Sequence, residues 1–302
     1  MGLIAMTYAS PSDVDFRLDD LPSLPRPGRV LMTEPTFFDV QYVINPHMTD
    51  HVGKVDRSKA GNQWHVLRDA YESLGFTVNT VEGQEDLFDM VFCANQTLPY
   101  YLPKNGERGV VMSNMLAPQR RAEVEHFEHF FRGIGYDVLR VGSDRGVDFE
   151  GMGDAVWHPQ TFLLWGGYGI RSSRASFDDI SQQLNVPILV LRLEDEEFYH
   201  LDTCFSPLDK STVLVFPDAF DETGLRLIRH VFPHVIEAPE DESRGLLACN
   251  CHCPDGEHVI IQKGCAATNQ LLRHAGFEPI EVDTGEFLKA GGSVFCMKQM
   301  FW

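Results

Sequence analysis

A short signature that returns along the chain constrains the fold more than any other feature. A helical segment ends at a glycine, an aromatic residue follows, and a strand begins, as in Leu74-Gly-Phe-Thr-Val, Ile134-Gly-Tyr-Asp-Val and Ala275-Gly-Phe-Glu-Pro-Ile. Glycine in this place is typical of a helix C-terminus. Recurrence at variable intervals of about 60 residues indicates an internal repeat. Each ββαβ unit would leave an apolar face uncovered, so about five units are predicted to pack around a common axis.

The pattern of apolar residues places helices and strands within these cycles. Helices are predicted at about 58–74, 120–133, 174–184, 221–231 and 266–275. Strands are predicted at 29–33, 76–81, 89–95, 109–114, 135–141, 149–157, 161–165, 187–192, 198–204, 211–216, 235–237, 246–249, 257–261, 277–282 and 294–295. The sequence therefore predicts an α/β fold. The alternative, an open doubly wound sheet, lacks the expected Gly-x-Gly-x-x-Gly after the first strand.

Two regions differ in character. Residues 1–27 hold several prolines, including Leu21-Pro-Ser-Leu-Pro-Arg-Pro, and predict an irregular leader packed on the surface or partly mobile. Residues 28–302 carry all the cycles and are predicted to form a single catalytic domain. A chain of 302 residues could equally hold two smaller domains on length alone.

Charge and composition exclude several classes of function. A net charge of −19 argues against nucleic acid and anionic membranes as partners, and fits a small cationic substrate. Solubility alone would explain most of the acidic residues. No run approaches the ~18 apolar residues of a membrane helix, and the first residues lack the basic start of a signal peptide. Seven cysteines, an odd number without a small-scaffold pattern, suggest a reduced, cytoplasmic protein.

One thiol is set apart near the C-terminal end, in Leu288-Lys-Ala-Gly-Gly-Ser-Val-Phe-Cys296-Met. The Gly-Gly pair permits a kink and close approach of the backbone to another group. The strand-like run Val294-Phe295 then delivers Cys296, which makes it a candidate nucleophile. The alternative is a buried structural cysteine, since free cysteines are among the most buried residues.

Two further polar clusters fall where such a ring would point inward. In Phe149-Glu150-Gly-Met-Gly-Asp154, glycines flank carboxylates and allow a ligand to approach, although a turn with surface acids reads the same way. In Phe198-Tyr-His200-Leu-Asp202, positions i and i+2 of an extended strand would face one side. His200 beside Asp202 is then a candidate general acid and base, or else a structural pair.

Taken together, these motifs resemble a known group of enzymes. Glu150-Gly-x-Gly-Asp154, Gly169-Ile-Arg171-Ser-Ser, His200-Leu-Asp202 and Gly291-Gly-Ser-Val-Phe-Cys296 look like the pentein guanidine-modifying superfamily, in its order and spacing from about Leu31 to Cys296. Its members include arginine deiminases, dimethylarginine hydrolases, amidinotransferases and arginine dihydrolases. The resemblance implies a five-bladed α/β propeller and hydrolysis of C–N bonds in a guanidino group.

The resemblance also implies roles for single residues. Cys296 would attack the guanidinium carbon and form a covalent thiouronium intermediate, while His200 protonates the leaving amine and later activates water. Glu150 and Asp202 would bind the guanidinium N–H groups, and Glu150 could also orient His200. Arg171 matches the arginine that holds the substrate α-carboxylate in the superfamily.

The resemblance also concerns four further polar residues. Asp154 is expected to support its loop. Asn95 stands where many deiminases and dimethylarginine hydrolases have an Asp that grips the guanidinium. The arginine dihydrolase branch has Asn there, and also resembles the chain at Asn45-Pro46. Asn250 falls where dihydrolase-like sequences carry an asparagine of the substrate pocket. These matches favour arginine dihydrolase, which converts arginine to ornithine, ammonia and carbon dioxide.

Other interpretations remain open on the sequence. The alternatives are a deiminase or dimethylarginine hydrolase that releases citrulline, an amidinotransferase, and an inactive pentein that binds without turnover. Cys249-Asn-Cys-His-Cys253 could bind a metal, but its residues cannot easily all reach one tetrahedral ion. We therefore expect no metal and no cofactor, a small guanidino compound as substrate, and leave open a homo-oligomer.

Overall fold

The computed structural model describes residues 6–142 and 147–302, so residues 1–5 of the predicted leader lie outside the described part. The protein is a mixed α/β fold, as predicted. The strands are β1 Thr7–Tyr8, β2 Arg29–Thr33, β3 Thr77–Val81, β4 Thr97–Leu102, β5 Glu107–Met112, β6 Asp137–Arg140, β7 Ala155–Trp157, β8 Leu164–Tyr168, β9 Ile188–Arg192, β10 Phe205–Pro207, β11 Thr212–Val215, β12 His234–Glu237, β13 His258–Gln262, β14 Glu278–Val282 and β15 Gln299–Phe301. The helices are α1 Arg57–Ser73, α2 Glu123–Gly133, α3 Gly151–Asp154, α4 Arg174–Leu184, α5 Glu222–Val231, α6 Glu240–Leu246, α7 Ala266–His274 and α8 Gly285–Leu288.

The strands of the described residues pair in five small sheets, in the orders β15-β2-β3, β4-β5-β6, β1-β9-β8-β7, β10-β11-β12 and β13-β14. Four of them repeat one connection, in which an antiparallel pair is followed by a helix and a parallel third strand. In the first sheet β15, from the C-terminal end, pairs antiparallel with β2 near the N-terminal end. The arrangement of the five sheets about one axis stays a prediction.

The recurring glycine has a conformational reason. Gly75, Gly135 and Gly276 each follow the end of α1, α2 or α7 after one residue, and all have positive φ, at 86°, 82° and 93°. Residues with a Cβ rarely adopt this left-handed conformation, which ends a helix by turning the chain back. The backbone N–H of the following aromatic residue then bonds to the helix, as Phe76 does to the Tyr71 carbonyl at 3.1 Å. The signature thus marks where each of these helices gives way to a strand.

The leader is tied to the rest of the chain more closely than its composition predicts. Within it, β1 pairs parallel with β9, and Tyr8, Leu21 and Leu24 are buried in the largest apolar cluster. Most of its other described residues are irregular apart from short 3-10 turns, in keeping with its prolines. The division into residues 1–27 and 28–302 stays a prediction.

Several predicted strands are wrong, and they share one cause. Residues 89–95, 198–204, 246–249 and 294–295 lie in turns, 3-10 segments or the end of α6, and of the predicted strand 149–157 only β7 is extended. All of these segments are largely buried, so they are apolar because of their position and not because they alternate in a sheet. The short β10 and β15, the proline-containing β4 and the seven-residue α6 were not predicted.

Candidate active site

The segment that carries Cys296 is a tight turn and not a strand. Gly291 has φ of 83°, and a Cβ on Gly292 would lie 2.3 Å from the Phe92 ring, so both positions require glycine. Asn250 fastens the turn: its Oδ1 accepts from the backbone N–H of Ser293 at 3.0 Å and of Cys296 at 3.3 Å. The predicted glycine kink is therefore present, but hydrogen bonds to Asn250, and not a sheet, place the thiol.

Cys296 contacts a carboxylate. Its Sγ lies 3.2 Å from Asp202 Oδ2 and 3.2 Å from Asn250 Nδ2, and all three side chains are buried. Burial, and then the negative charge of Asp202, raise the pKa of the Cys296 thiol well above its ordinary value. Burial also raises the pKa of Asp202 to about 7, although the thiol hydrogen bond opposes that rise. A cation placed beside the two groups would favour their ionised forms.

His200 forms a second buried cluster with Glu150 and Arg171. His200 Nε2 lies 2.6 Å from Glu150 Oε2, and Arg171 Nη1 donates to the same oxygen at 3.0 Å. Burial alone would raise the pKa of Glu150, but the hydrogen bond to His200 and the charges of His200 and Arg171 lower it to about 2. With this pKa Glu150 is ionised at neutral pH, and it fixes the imidazole ring through Nε2.

The sequence placed His200 and Asp202 on one face of a strand, and this is wrong. His200 immediately precedes a 3-10 turn, Leu201–Thr203, that contains Asp202. The turn sends the two side chains to different partners, His200 to Glu150 and Asp202 to Cys296. Asp154 holds this turn: its Oδ1 accepts from the Leu201 backbone N–H at 3.1 Å, and its Oδ2 accepts from Ser172 Oγ at 2.6 Å.

Arg120, a buried arginine that no sequence motif indicated, fixes the orientation of the Asn95 amide. Arg120 Nη1 donates to Asn95 Oδ1 at 2.8 Å, and Arg120 is itself paired with Glu123 at 2.9 Å. Because this contact occupies the amide oxygen, the Asn95 amide nitrogen faces His200 Nδ1 at 3.4 Å. Arg120 and Glu123 stand three residues apart at the start of a helix, where charges are usually exposed, so no local pattern indicates their burial.

A narrow pocket brings the clusters together. Its lining consists of Ile44, Asn45, Met48, Asp89, Phe92, Asn95, Arg120, Arg171, Tyr199, Ala290 and Cys296. Asn45 Nδ2 donates to the Ala290 carbonyl at 3.0 Å, while its buried Oδ1 has no hydrogen-bond partner among the described residues. Arg171 donates to the Ile44 carbonyl at 2.6 Å and stacks on Tyr199. Each sequence-predicted residue thus lies in this lining or contacts a residue of it, directly or through the 3-10 turn.

The Cys249–Cys253 run is the metal site that the sequence leaves as an alternative. Across residues 6–142 and 147–302, no cluster of three or more His, Cys, Asp or Glu side chains is arranged to hold an ion. Cys251 in the Cys249–Cys253 run instead donates to Ser206 Oγ at 3.4 Å, and each of the seven cysteines is free.

Residues 6–142 and 147–302 contain no helix with the length and apolar character needed to cross a bilayer.

The chain is similar to several known proteins. A family model described as N,N dimethylarginine dimethylhydrolase, eukaryotic, matches residues 41–301. The bifunctional arginine dihydrolase/ornithine cyclodeaminase AgrE of Nostoc sp. is 38% identical over 270 residues, which are 89% of this chain but 37% of AgrE. The N(G),N(G)-dimethylarginine dimethylaminohydrolase of Mycobacterium tuberculosis is 34% identical over 90% of this chain and 85% of its own.

Solved structures show the same relationship. The N-terminal domain of ArgZ, an arginine dihydrolase of the cyanobacterial ornithine–ammonia cycle, has been solved with substrate and with a covalently bound reaction intermediate. Both structures match with a TM-score of 0.83 and 34% identity, over 90% of this chain and 97% of theirs. The chain therefore belongs to the dimethylarginine dimethylaminohydrolase family of the pentein guanidine-modifying superfamily.

Proposed function

We propose that the protein is an arginine dihydrolase that converts arginine and two waters to ornithine, two ammonia and carbon dioxide. The observation that carries the proposal is the narrow pocket lined by Cys296, Asn95 and Arg171. Cys296 contacts Asp202, Asn95 contacts His200, and Arg171 contacts Glu150. The similarity to AgrE and to the ArgZ domain supports this substrate and reaction. The chain spans 37% of AgrE, so the proposal concerns the dihydrolase reaction alone.

The first half-reaction begins with the guanidinium cation beside Cys296 and Asp202. Its positive charge favours the Cys296 thiolate, which is the competent nucleophile. Sγ attacks the guanidinium carbon, and His200 transfers a proton to the departing nitrogen. Ammonia is released, and the remaining thiouronium stays bonded to Cys296. Glu150 stabilises the imidazolium through the 2.6 Å contact.

Water completes each hydrolysis. His200 takes a proton from water, which attacks the thiouronium carbon and releases the thiolate together with citrulline. For a dihydrolase Cys296 must then attack the ureido carbon of citrulline and expel a second ammonia, which leaves a thiocarbamate on the thiol. Water hydrolyses the thiocarbamate to the thiolate and the carbamate of ornithine, which loses carbon dioxide to give ornithine.

Asn95 is proposed to permit this second round. Because Arg120 occupies its oxygen, the amide of Asn95 presents N–H donors near His200. Such donors suit the ureido oxygen of citrulline, which an ionised carboxylate would repel. Unpaired buried polar groups are costly, so this single contact can change the relative rates by orders of magnitude.

Arg171 is proposed to hold the substrate α-carboxylate. It lines the pocket with Tyr199 under its guanidinium, and it is fixed by Glu150 and the Ile44 carbonyl. Asn45, whose unbonded Oδ1 faces the same lining, offers an acceptor for the substrate ammonium. Asn250 would serve the thiol turn more than the substrate, given its contacts with Ser293 and Cys296.

A second function has support of its own. The family model and the Mycobacterium tuberculosis relative both carry the name of dimethylarginine hydrolases, which would release citrulline and dimethylamine. Incubation with arginine, dimethylarginine and citrulline, followed by mass spectrometry, separates the two. Ornithine without accumulated citrulline supports the arginine dihydrolase. If dimethylarginine is hydrolysed and arginine is not, the dimethylarginine hydrolase replaces it as the proposed function.

A substitution of Asn95 tests the proposed reason. Asn95→Asp should raise the ratio of citrulline to ornithine at early times at least tenfold, because the second hydrolysis suffers more than the first. Asn105→Asp, the same change on an exposed loop, is the matched control and should leave the ratio unchanged. An unchanged ratio in Asn95→Asp would contradict this explanation of dihydrolysis.

We also propose that the five sheets are blades of a closed α/β propeller. The repeated strand–helix–strand connections and the pairing of β15 with β2, which joins the two ends of the domain, support this arrangement.

A cytoplasmic location is proposed as well, because seven free cysteines are in keeping with a reducing cytoplasm.

A further inference from the structure

Lys298 is a buried lysine two residues after Cys296. Its side chain is fully buried, and Nζ makes no hydrogen bond to any residue in 6–142 or 147–302. Nζ lies 3.0 Å from the centre of the Phe295 ring, and that cation–π contact offsets only part of the cost of burial. A buried lysine is normally paired, so its position next to the thiol calls for a reason.

The same region contains an unmatched acceptor. Asp202 Oδ2 contacts Cys296, but the buried Oδ1 has no hydrogen-bond partner among the described residues. Lys298 and Asp202 influence each other: the lysine charge opposes the rise in the pKa of Asp202, and the carboxylate opposes the fall in the pKa of Lys298. Within the described residues, the amine of Lys298 and one carboxylate oxygen of Asp202 thus both lack a hydrogen bond, and Asp202 contacts Sγ through its other oxygen.

The backbone fixes Lys298 relative to Cys296. The Lys298 N–H donates to the Phe295 carbonyl at 3.3 Å, and the Met297 N–H donates to the Ser293 carbonyl at 3.2 Å. With Asn250 holding the start of the turn, the cation and the thiol belong to one rigid segment.

We propose that Lys298 is a positioning residue that supplies the buried positive charge balancing the Cys296 thiolate and the Asp202 carboxylate. The proposal rests on the proposed function only in taking Cys296 as the nucleophile. Before substrate arrives, a positive charge on Lys298 lets Cys296 or Asp202 ionise without leaving a net negative charge in the interior. A unit charge a few ångströms away inside a protein changes ionisation by about one to two pH units.

Other ionisable groups act in the same region. Cys93 and Asp202 act on Lys298 through their charges, and Asp89, Arg120, Arg171 and Tyr199 line the active-site pocket with Cys296. Lys298 itself lines a second cavity, whose titratable groups are Arg26, His158, Asp209, His252 and Cys253. Arg120 and Arg171 are paired with Glu123 and Glu150, and Tyr199 donates to the Gly291 carbonyl. Lys298 differs from these two arginines because its amine makes no hydrogen bond within the described residues.

The pH dependence distinguishes a charge from a space-filling side chain. Burial lowers the pKa of Lys298 to about 7, so the amine is charged at pH 6 and neutral at pH 10. Its help to the thiolate should be present at the lower pH and absent at the higher one. A purely structural role would alter reactivity to a similar extent at all pH values.

The test is the rate of alkylation of Cys296 by iodoacetamide, followed on its peptide by mass spectrometry from pH 6 to pH 10. In Lys298→Met the rate should fall at least about tenfold at pH 6–7 and approach that of wild type at pH 10. Lys298→Gln, which stays polar but lacks the charge, should behave in the same way. Lys263→Met, which removes an exposed lysine, should follow wild type throughout.

Equal rates at pH 6–7, an equal loss at every pH, or a loss in Lys298→Met that Lys298→Gln does not share would each overturn the proposal. Failure of both variants to fold would assign Lys298 to stability and overturn it too. The assay needs no turnover. The predicted rates without any hydrolysis of arginine would therefore refute the proposed function and leave this inference standing.

Discussion

Glu150→Gln is the substitution whose effect follows most directly from the structure. Gln keeps the shape of the side chain but removes the charge that His200 and Arg171 share. The pKa of Glu150 falls from 4.5 to about 2 in spite of complete burial. That difference corresponds to about 3 kcal/mol of net stabilisation of the ionised carboxylate in the folded protein.

The sign of the pH dependence follows from the lowered pKa. This stability is fully present above the unfolded pKa of about 4.3 and is lost as the pH falls toward the folded value. Urea denaturation should therefore show a loss of about 3 kcal/mol in Glu150→Gln at pH 7, and a difference about half as large at pH 3. Glu222→Gln removes an exposed partner of Arg226 and should change stability by at most about 0.5 kcal/mol.

Activity should fall with stability. Without the carboxylate the imidazolium has no counter-charge, and kcat/KM for arginine should fall about 10²- to 10⁴-fold, the usual range for acid–base catalysis. The assay is release of ornithine by protein shown to be folded at the assay temperature. A variant within about 1 kcal/mol of wild type at pH 7, with kcat/KM within tenfold, would refute the assignment of Glu150.

Two further predictions concern the substrate and metals. Arg171→Ala should weaken apparent affinity for arginine by about 2–4 kcal/mol but affect agmatine, which lacks the α-carboxylate, much less; equal losses would show that Arg171 does not meet the carboxylate. Dialysis against a chelator should leave turnover unchanged, because Cys296, His200 and Glu150 supply nucleophile, acid and base; loss of activity that zinc restores would direct attention to Cys249–Cys253.

The helices were predictable because their cause is local. α4 was expected at 174–184 and is Arg174–Leu184, since apolar residues at helical spacing identify its buried face. Its end at Asn185 is another left-handed residue, with φ of 50°. The glycine signature was equally local, because a positive φ depends on one residue.

The segments around the pocket were not predictable in the same way. Residues 198–204 are buried on all sides, so no alternation of apolar and polar residues separates a strand from consecutive 3-10 turns. His200 and Asp202 were still identified from residue type and order, though their partners were not. Arg120 and Lys298 carry no local sign of burial, because only the tertiary fold removes these charges from water.

The most direct test of the account is to trap the intermediate on Cys296. Wild-type protein is mixed with arginine, quenched in acid within the first turnover, digested and analysed by mass spectrometry. If Cys296 is the nucleophile, its peptide should gain the mass of arginine less one ammonia. Cys296→Ser should show neither this adduct nor ornithine. Ornithine formed at the wild-type rate by Cys296→Ser, or an adduct on another cysteine, would contradict it.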